Sequence, residues 1–153
     1  MGDEPRRVRP GPALSSKMAH LARRHTAPEM AVRRALHAAG ARYRVQFPFP
    51  GNRRRTIDIA FPRARVAVFI DGCFWHGCPA HGVQPRTNEE WWSWKIARNR
   101  DRDADSTRTL ESQGWRVLRV WEHEDPEVVR DAVMREVRER AGPAARRGER
   151  QEN

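Results

Sequence analysis

Hydrophobic residues recur at two periods along this chain, and the punctuation between them divides it into elements. Thr26 has the chemistry of a helix N-cap, Pro28 suits a first turn, and Gly40 supplies a stop, so a helix is expected over about 27–39. RYRVQF (42–47) reads as a strand, followed by a turn rich in Pro, Gly and Arg at 48–55. TIDIAF (56–61) alternates, which assigns Ile57, Ile59 and Phe61 to one face and Thr56, Asp58 and Ala60 to the other. RVAVFID (65–71) is nearly continuous in apolar residues, as a strand covered on both faces would be. A long polar helix is expected from Thr87 to Gln113, stopped by Gly114, and WRVLRVW (115–121) reads as another buried strand. Asp125-Pro126 caps a last helix to about residue 141, with Val129, Val133 and Val137 along one stripe. The order of helix, three strands, helix, strand and helix predicts an α/β sandwich around a mixed sheet.

The 153 residues suffice for one domain with a real core, assigned to 16–141. Residues 1–15, with several Arg and Pro and no periodicity, read as a basic flexible arm, and 142–153 as a disordered tail. No apolar run approaches the roughly 20 residues that span a bilayer, and no secretory leader is visible, so a cytoplasmic protein without a membrane partner is expected. The formal charge is +10, and arginine supplies nearly all of the excess, lysine occurring only at Lys17 and Lys95. Guanidinium groups grip phosphates in a bidentate fork, which favours a nucleic-acid partner. A GC-rich genome would also enrich arginine, so charge alone does not decide.

FIDGCFWHGCPAH (69–81) concentrates the candidate chemistry, holding both cysteines and two of the six histidines. Zinc prefers four Cys or His ligands in a tetrahedron. Cys73, Cys78 and His81 supply three from one loop, and His123, just after the strand 115–121, is the best candidate for the fourth. His76 could replace His81 in that set, or it could point outward as a base pre-positioned by a rigid loop. His20, His25 and His37 suit surface or core roles better, and two free thiols beside incidental histidines remain the plain alternative.

Phosphodiester hydrolysis needs a divalent cation and a proton acceptor, and magnesium takes carboxylate oxygens. Asp58 stands inside a strand between Ile57 and Ile59, where a lone charge is costly. Asp71 ends the next strand and could reach the same edge, or simply belong to a turn before Gly72. Thr26-x-x-Glu29 is a capping box that accounts for Glu29 structurally. Trp91, Trp92 and Trp94 precede Lys95, Arg98, Arg100 and Arg102, an arrangement suited to base stacking beside phosphate contacts. Asp101, Asp103 and Asp105 favour the plainer reading of a solvated, ion-paired helix. Phe74 and Trp75 at the tip of a zinc loop suit wedges that unstack a base step.

Three blocks together resemble the very short patch repair (Vsr) endonuclease family: FIDGCFWHGCPAH, TNEEWWSWKIARNRDRD (87–103) and GWRVLRVWEH (114–123). The similarity runs from about Lys17 to Asp125. It implies a restriction-endonuclease-like three-layer sandwich with a central mixed β-sheet and a structural zinc site. It also implies a strand-specific, Mg2+-dependent nickase that cuts 5′ of the thymine in T:G mismatches left by deamination of 5-methylcytosine. The expected partner is double-stranded DNA containing such a mismatch, with mismatch-repair proteins downstream; a monomer at the nucleoid is expected.

Carried over by position, Asp58 resembles the family's metal-binding aspartate and His76 its catalytic histidine, and the Glu29 position carries a catalytic-site glutamate. Cys73, Cys78, His81 and His123 match structural Zn2+ ligands. Phe74, Trp75 and Trp92 match intercalating aromatics, and Lys95, Asn99 and Arg102 fall in the DNA-contacting segment. The best-known member has histidine at the position of Asp71 and threonine at that of Ile70. Asp71 is therefore expected as a second metal-linked carboxylate, and Ile70 as a Mg2+ ligand through its backbone carbonyl alone. Two other readings remain: a zinc-stabilised mismatch- or DNA-binding module without catalysis, and a related nuclease of different DNA specificity.

Overall fold

A computed structural model describes residues 2–8, 26–81 and 86–148. Lys17, His20, His25 and the remainder of the expected arm lie outside the described residues, as do 149–153.

The first helix, α1 (Ala27–Ala38), begins where capping chemistry predicts: the Thr26 side chain accepts the backbone N–H of Glu29. Val32 and Leu36, one turn apart, are its buried apolar stripe. Gly40, with φ 78, ends it while the Ala41 N–H donates to the Leu36 carbonyl. Four strands follow the expected order: β1 (Arg44–Phe49), β2 (Asn52–Phe61), β3 (Val66–Asp71) and, after helix α2 (Glu89–Ser112), β4 (Arg116–Trp121). The spatial order is β1-β2-β3-β4, with β1–β2 and β2–β3 antiparallel and β3–β4 parallel. The mixed sheet is thus as expected, with α2 as the crossover that a parallel pair requires.

Helices α1 and α3 (Pro126–Gly148) cover one face of the sheet and α2 the other, giving three layers. Val32, Leu36, Ile59, Phe61, Val66, Val68, Val129 and Val133 form one core cluster; Phe49, Ile57, Ala60, Ala67, Phe69 and Leu110 form the second. Full burial of side chains such as Leu36, Ile59 and Leu110 stabilises by roughly 1.5–3 kcal/mol each.

Three expectations are corrected. Strict alternation assigned Ile57 to the face of Ile59 and Phe61, yet Ile57 packs in the second cluster with Ala60. The slip falls at Asp58, opposite Gln46, whose φ of 46 is left-handed and turns β1 over between Val45 and Phe47. Helix α2 starts at Glu89 instead of Thr87, because left-handed Asn88 (φ 62) commits its side-chain amide to Val8 N–H and C=O, both at 2.9 Å. The turn expected over 48–55 narrows to Pro50 and Gly51, because β1 runs on to Phe49 and β2 already starts at Asn52. The last helix is broken at Gly142 (φ 64, ψ −177), just past its expected end at about 141.

Candidate active site and metal centre

The β2–β3 ladder pairs Phe61 with Val66, Ala60 with Ala67 and Ile59 with Val68, and stops there. Beyond it β3 stays paired with β4 as far as Asp71 opposite Trp121. The strand edge so opened is served by a side chain: the Ile70 N–H donates to Asp58 Oδ2 at 2.9 Å. An acid in place of the missing carbonyl gives Asp58 a structural anchor, and it leaves the carboxylate at the mouth of a cleft of about 630 Å³.

Glu29, Asp58, Ile70, Asp71, Phe74, Trp75, His76, Lys95, Asn99 and Arg102 all line this cleft, so residues drawn from α1, β2, β3, the following loop and α2 converge. Burial pushes the Asp58 carboxyl up to about 6; the Ile70 hydrogen bond counteracts this, while the charges of Glu29 and Asp71 add to it. Asp71 is likewise raised, mainly by burial, against the opposing pull of His76 and Arg119. Glu29 is buried, and its Oε1 accepts from Arg33 and, at 3.1 Å, from Gln46 Nε2. Gln46 Oε1 in turn accepts from Thr56 Oγ1 at 3.0 Å. Glu29 is therefore both part of the α1 cap and part of the cleft wall.

The His76 imidazole faces away from the cysteines. Its Nδ1 hydrogen-bonds the Asp103 carboxylate and lies 4.0 Å from Asp71 Oδ1. Burial alone would lower the His76 pKa, but the Asp103 hydrogen bond and the charges of Asp71 and Asp103 outweigh it and raise the value. Asp103 was read from sequence as part of a solvated helix face. Charge alternation along α2 carried no sign that one of its acids turns inward, and only the contact with the 72–81 loop reveals it.

That loop is fastened to α2 at three points: Asn99 Nδ2 donates to the Trp75 carbonyl at 2.8 Å, and Arg100 donates to the carbonyls of His76 at 3.1 Å and Gly77 at 2.5 Å. Gly77 sits at φ +64, where a Cβ would lie 2.8 Å from both Ile96 Cγ2 and Arg100 Nη2. Only glycine fits so close to the helix. Asn99, expected to contact DNA, is thus engaged with the loop, while Lys95 and Arg102 stand at the cleft wall.

On the far side of the loop, one donor atom from each of Cys73, Cys78, His81 and His123 lies within 4.8 Å of the others. Cys73 Sγ is 3.2 Å and Cys78 Sγ 3.7 Å from His123 Nδ1. A tetrahedral zinc site has ligand–ligand edges of roughly 3.3–3.8 Å, so this donor set fits one ion. Burial and the neighbouring Cys78 push the Cys73 thiol up to about 11, a penalty that a bound cation would offset. Glu122 braces the loop by accepting the Cys73 N–H at 3.0 Å. The oxygens of Asp58 and the Ile70 carbonyl are the hard donors that suit magnesium.

Phe74 packs edge-on against both Trp75 and Trp92, each at 5.1 Å, and Trp92 against Trp91 at 4.7 Å. Trp92 is buried beneath Phe74 and Trp75, which are themselves partly exposed. The arm residues 2–8 cover the outer side of this stack: Arg7 lies 4.3 Å over the Trp91 ring, and Glu4 accepts from Trp91 Nε1 at 3.0 Å.

An α/β sandwich whose opened strand edge gathers acids and a histidine beside an aromatic stack fits a restriction-endonuclease-like fold. Residues 12–81 match the family model described as DNA mismatch endonuclease Vsr. The chain is 52% identical over 110 residues to the Type II nicking enzyme V.NaeI of Lentzea aerocolonigenes, covering 71% of this chain and 64% of that protein. It is 42% identical to the Type II nicking enzyme V.XorIIP of Xanthomonas oryzae pv. oryzae, covering 66% of this chain and 73% of that one. It is 38% identical to the DNA mismatch endonuclease Vsr of Escherichia coli, covering 71% of this chain and 68% of that one. The chain belongs to the Vsr family of DNA mismatch endonucleases. It spans less than two thirds of the length of V.NaeI. Among the described residues, no helix is long and apolar enough to cross a membrane.

Proposed function

We propose that this protein is a Mg2+-dependent DNA endonuclease that nicks one strand 5′ of the thymine in a T:G mismatch. The observation that carries the reading is the joining, in one cleft, of Asp58, Asp71 and the His76–Asp103 pair with the wall formed by Phe74 and Trp75.

Asp58 and the Ile70 carbonyl would hold the magnesium ion. When bound, it supplies charge neutralisation for the phosphate and polarises the attacking water. His76 carries its Nδ1 proton on Asp103 and takes the water's proton at Nε2, the nitrogen left for the cleft. Phe74 and Trp75 enter the base step at the mismatch, where unstacking costs least. Lys95 and Arg102 meet the phosphates. Cys73, Cys78, His81 and His123 hold a structural zinc ion that stiffens the loop carrying both His76 and the wedge. The protein acts as a monomer on duplex DNA, ahead of mismatch-repair proteins.

The test is a synthetic duplex with one T:G pair, incubated with magnesium beside its T:A counterpart. Nicking next to the thymine of the mismatch, abolished by Asp58→Ala, is expected. Equal cutting of both duplexes would reject the mismatch specificity while keeping the nickase. That second reading is favoured by the strong similarity to proteins named Type II nicking enzymes. Tight T:G binding without nicking under any divalent metal would leave a binding module.

A further inference from the structure

Arg119 is a charged residue inside β4, in a stretch whose sequence reads as buried strand. Its guanidinium runs into the cleft. Nε donates to Thr107 Oγ1 at 2.9 Å, Nη1 to Asp71 Oδ1 at 3.1 Å, and Nη2 to the Asp103 backbone carbonyl at 3.0 Å. Nη1 also stands 3.6 Å from Asp103 Oδ1, and the guanidinium carbon lies 4.3 Å over the Phe69 ring. Asp71, Arg119, Asp103 and His76 therefore form a closed ring in which acids alternate with bases.

Every nitrogen of this guanidinium already donates, and one face is covered by an aromatic ring. The group is thus poorly disposed to clamp a substrate phosphate and well disposed to hold its neighbours still. Two acids within reach of one imidazole could compete for its Nδ1–H. Arg119 breaks the tie, because it draws the Asp71 carboxylate toward β4 while fixing the Asp103 main chain under His76. A planar fork that binds three acceptors at once loses little entropy per bond, and lysine could not reproduce it.

We propose that Arg119 is a positioning residue of this cleft: it holds Asp71 and Asp103 on either side of His76, so that the imidazole keeps Nδ1–H on Asp103 and presents Nε2 to the cleft. The catalytic consequence rests on the nickase reading above, whereas the effect on the imidazole does not.

Two readouts separate them. In DNA-free protein, proton NMR should show a protected, downfield His76 Nδ1–H resonance, identified by its loss in Asp103→Asn. Arg119→Met should lose that resonance, and its kcat for nicking should fall by about tenfold to a hundredfold with KM little changed. Arg119→Lys keeps the charge without the fork and should fall between the two, and added guanidinium should restore part of the Arg119→Met rate. A resonance retained in Arg119→Met, or lost with kcat unchanged, overturns the proposal. Should Arg119→Met fail to fold, a wild-type resonance and kcat in Arg119→Lys would overturn it equally. A wild-type protein that shows the resonance but nicks no DNA rejects the nickase reading and leaves the positioning role standing.

Discussion

Asp58 and Ile70, twelve residues apart in sequence, are joined at 2.9 Å by a hydrogen bond from the Ile70 N–H to the Asp58 carboxylate, at the point where β2 leaves β3. The bond replaces a lost ladder partner, and the burial that accompanies it raises Asp58 from 3.8 to about 6. A carboxyl raised in the fold binds its proton more tightly there than in the unfolded chain. Its stability contribution is therefore present below the unfolded value and lost as pH rises through about 6. Asp58→Asn should raise the melting temperature of metal-free protein at pH 7.5 by a few degrees, the raised pKa corresponding to at most about 3 kcal/mol. The same variant should show no magnesium-dependent rise in melting temperature and no nicking.

The His76–Asp103 pair sets a stability dependence of the same sign. The imidazole is raised above its ordinary 6.5, so the protonated form stabilises the fold below that value and the contribution fades as pH climbs through the raised pKa. A base must be neutral to work. The rate of nicking should rise with pH through a midpoint above 6.5, and Asp103→Asn should move that midpoint down. An unmoved midpoint in kcat/KM against pH would remove His76 from the proton-accepting role.

Zinc content can be measured directly. One zinc ion per chain is expected by elemental analysis, and Cys78→Ser or a strong chelator should remove it. Loss of the ion removes one anchor of the loop, leaving hydrogen bonds such as those made by Glu122, Asn99, Arg100 and Asp103. The protein should then melt at least about 5 °C lower, which for a chain of this size is on the order of 1–3 kcal/mol. Nicking should fall with it, because the loop carries His76.

Gly77→Ala probes the same loop without touching a ligand. The added methyl meets Ile96 and Arg100 at 2.8 Å, in a backbone conformation unfavourable to alanine. A loss of about 1–3 kcal/mol in urea unfolding is expected, with a lower kcat as His76 shifts off Asp103.

Much of this protein is determined by its sequence alone. The caps at Thr26 and Gly40, the apolar run 65–71 and the order of elements specify the three-layer sandwich, because local periodicity and turn chemistry are local facts. Cys73, Cys78, His81 and His123 could be grouped from spacing and strand position, and Asp58 stood out as a charge inside a strand. The tertiary structure alone decided the rest. Gln46 reverses the β1 pattern through a left-handed φ that its side chain does not advertise. Asp103 looks like any acid on a charged helix until the 72–81 loop packs against α2, and Arg119 looks like a strand charge until its fork meets Asp71 and Asp103. Both belong to contacts that join residues 16 to 48 positions apart. Periodicity reports which face of an element is buried; it carries no record of which partner on another element a polar side chain will find.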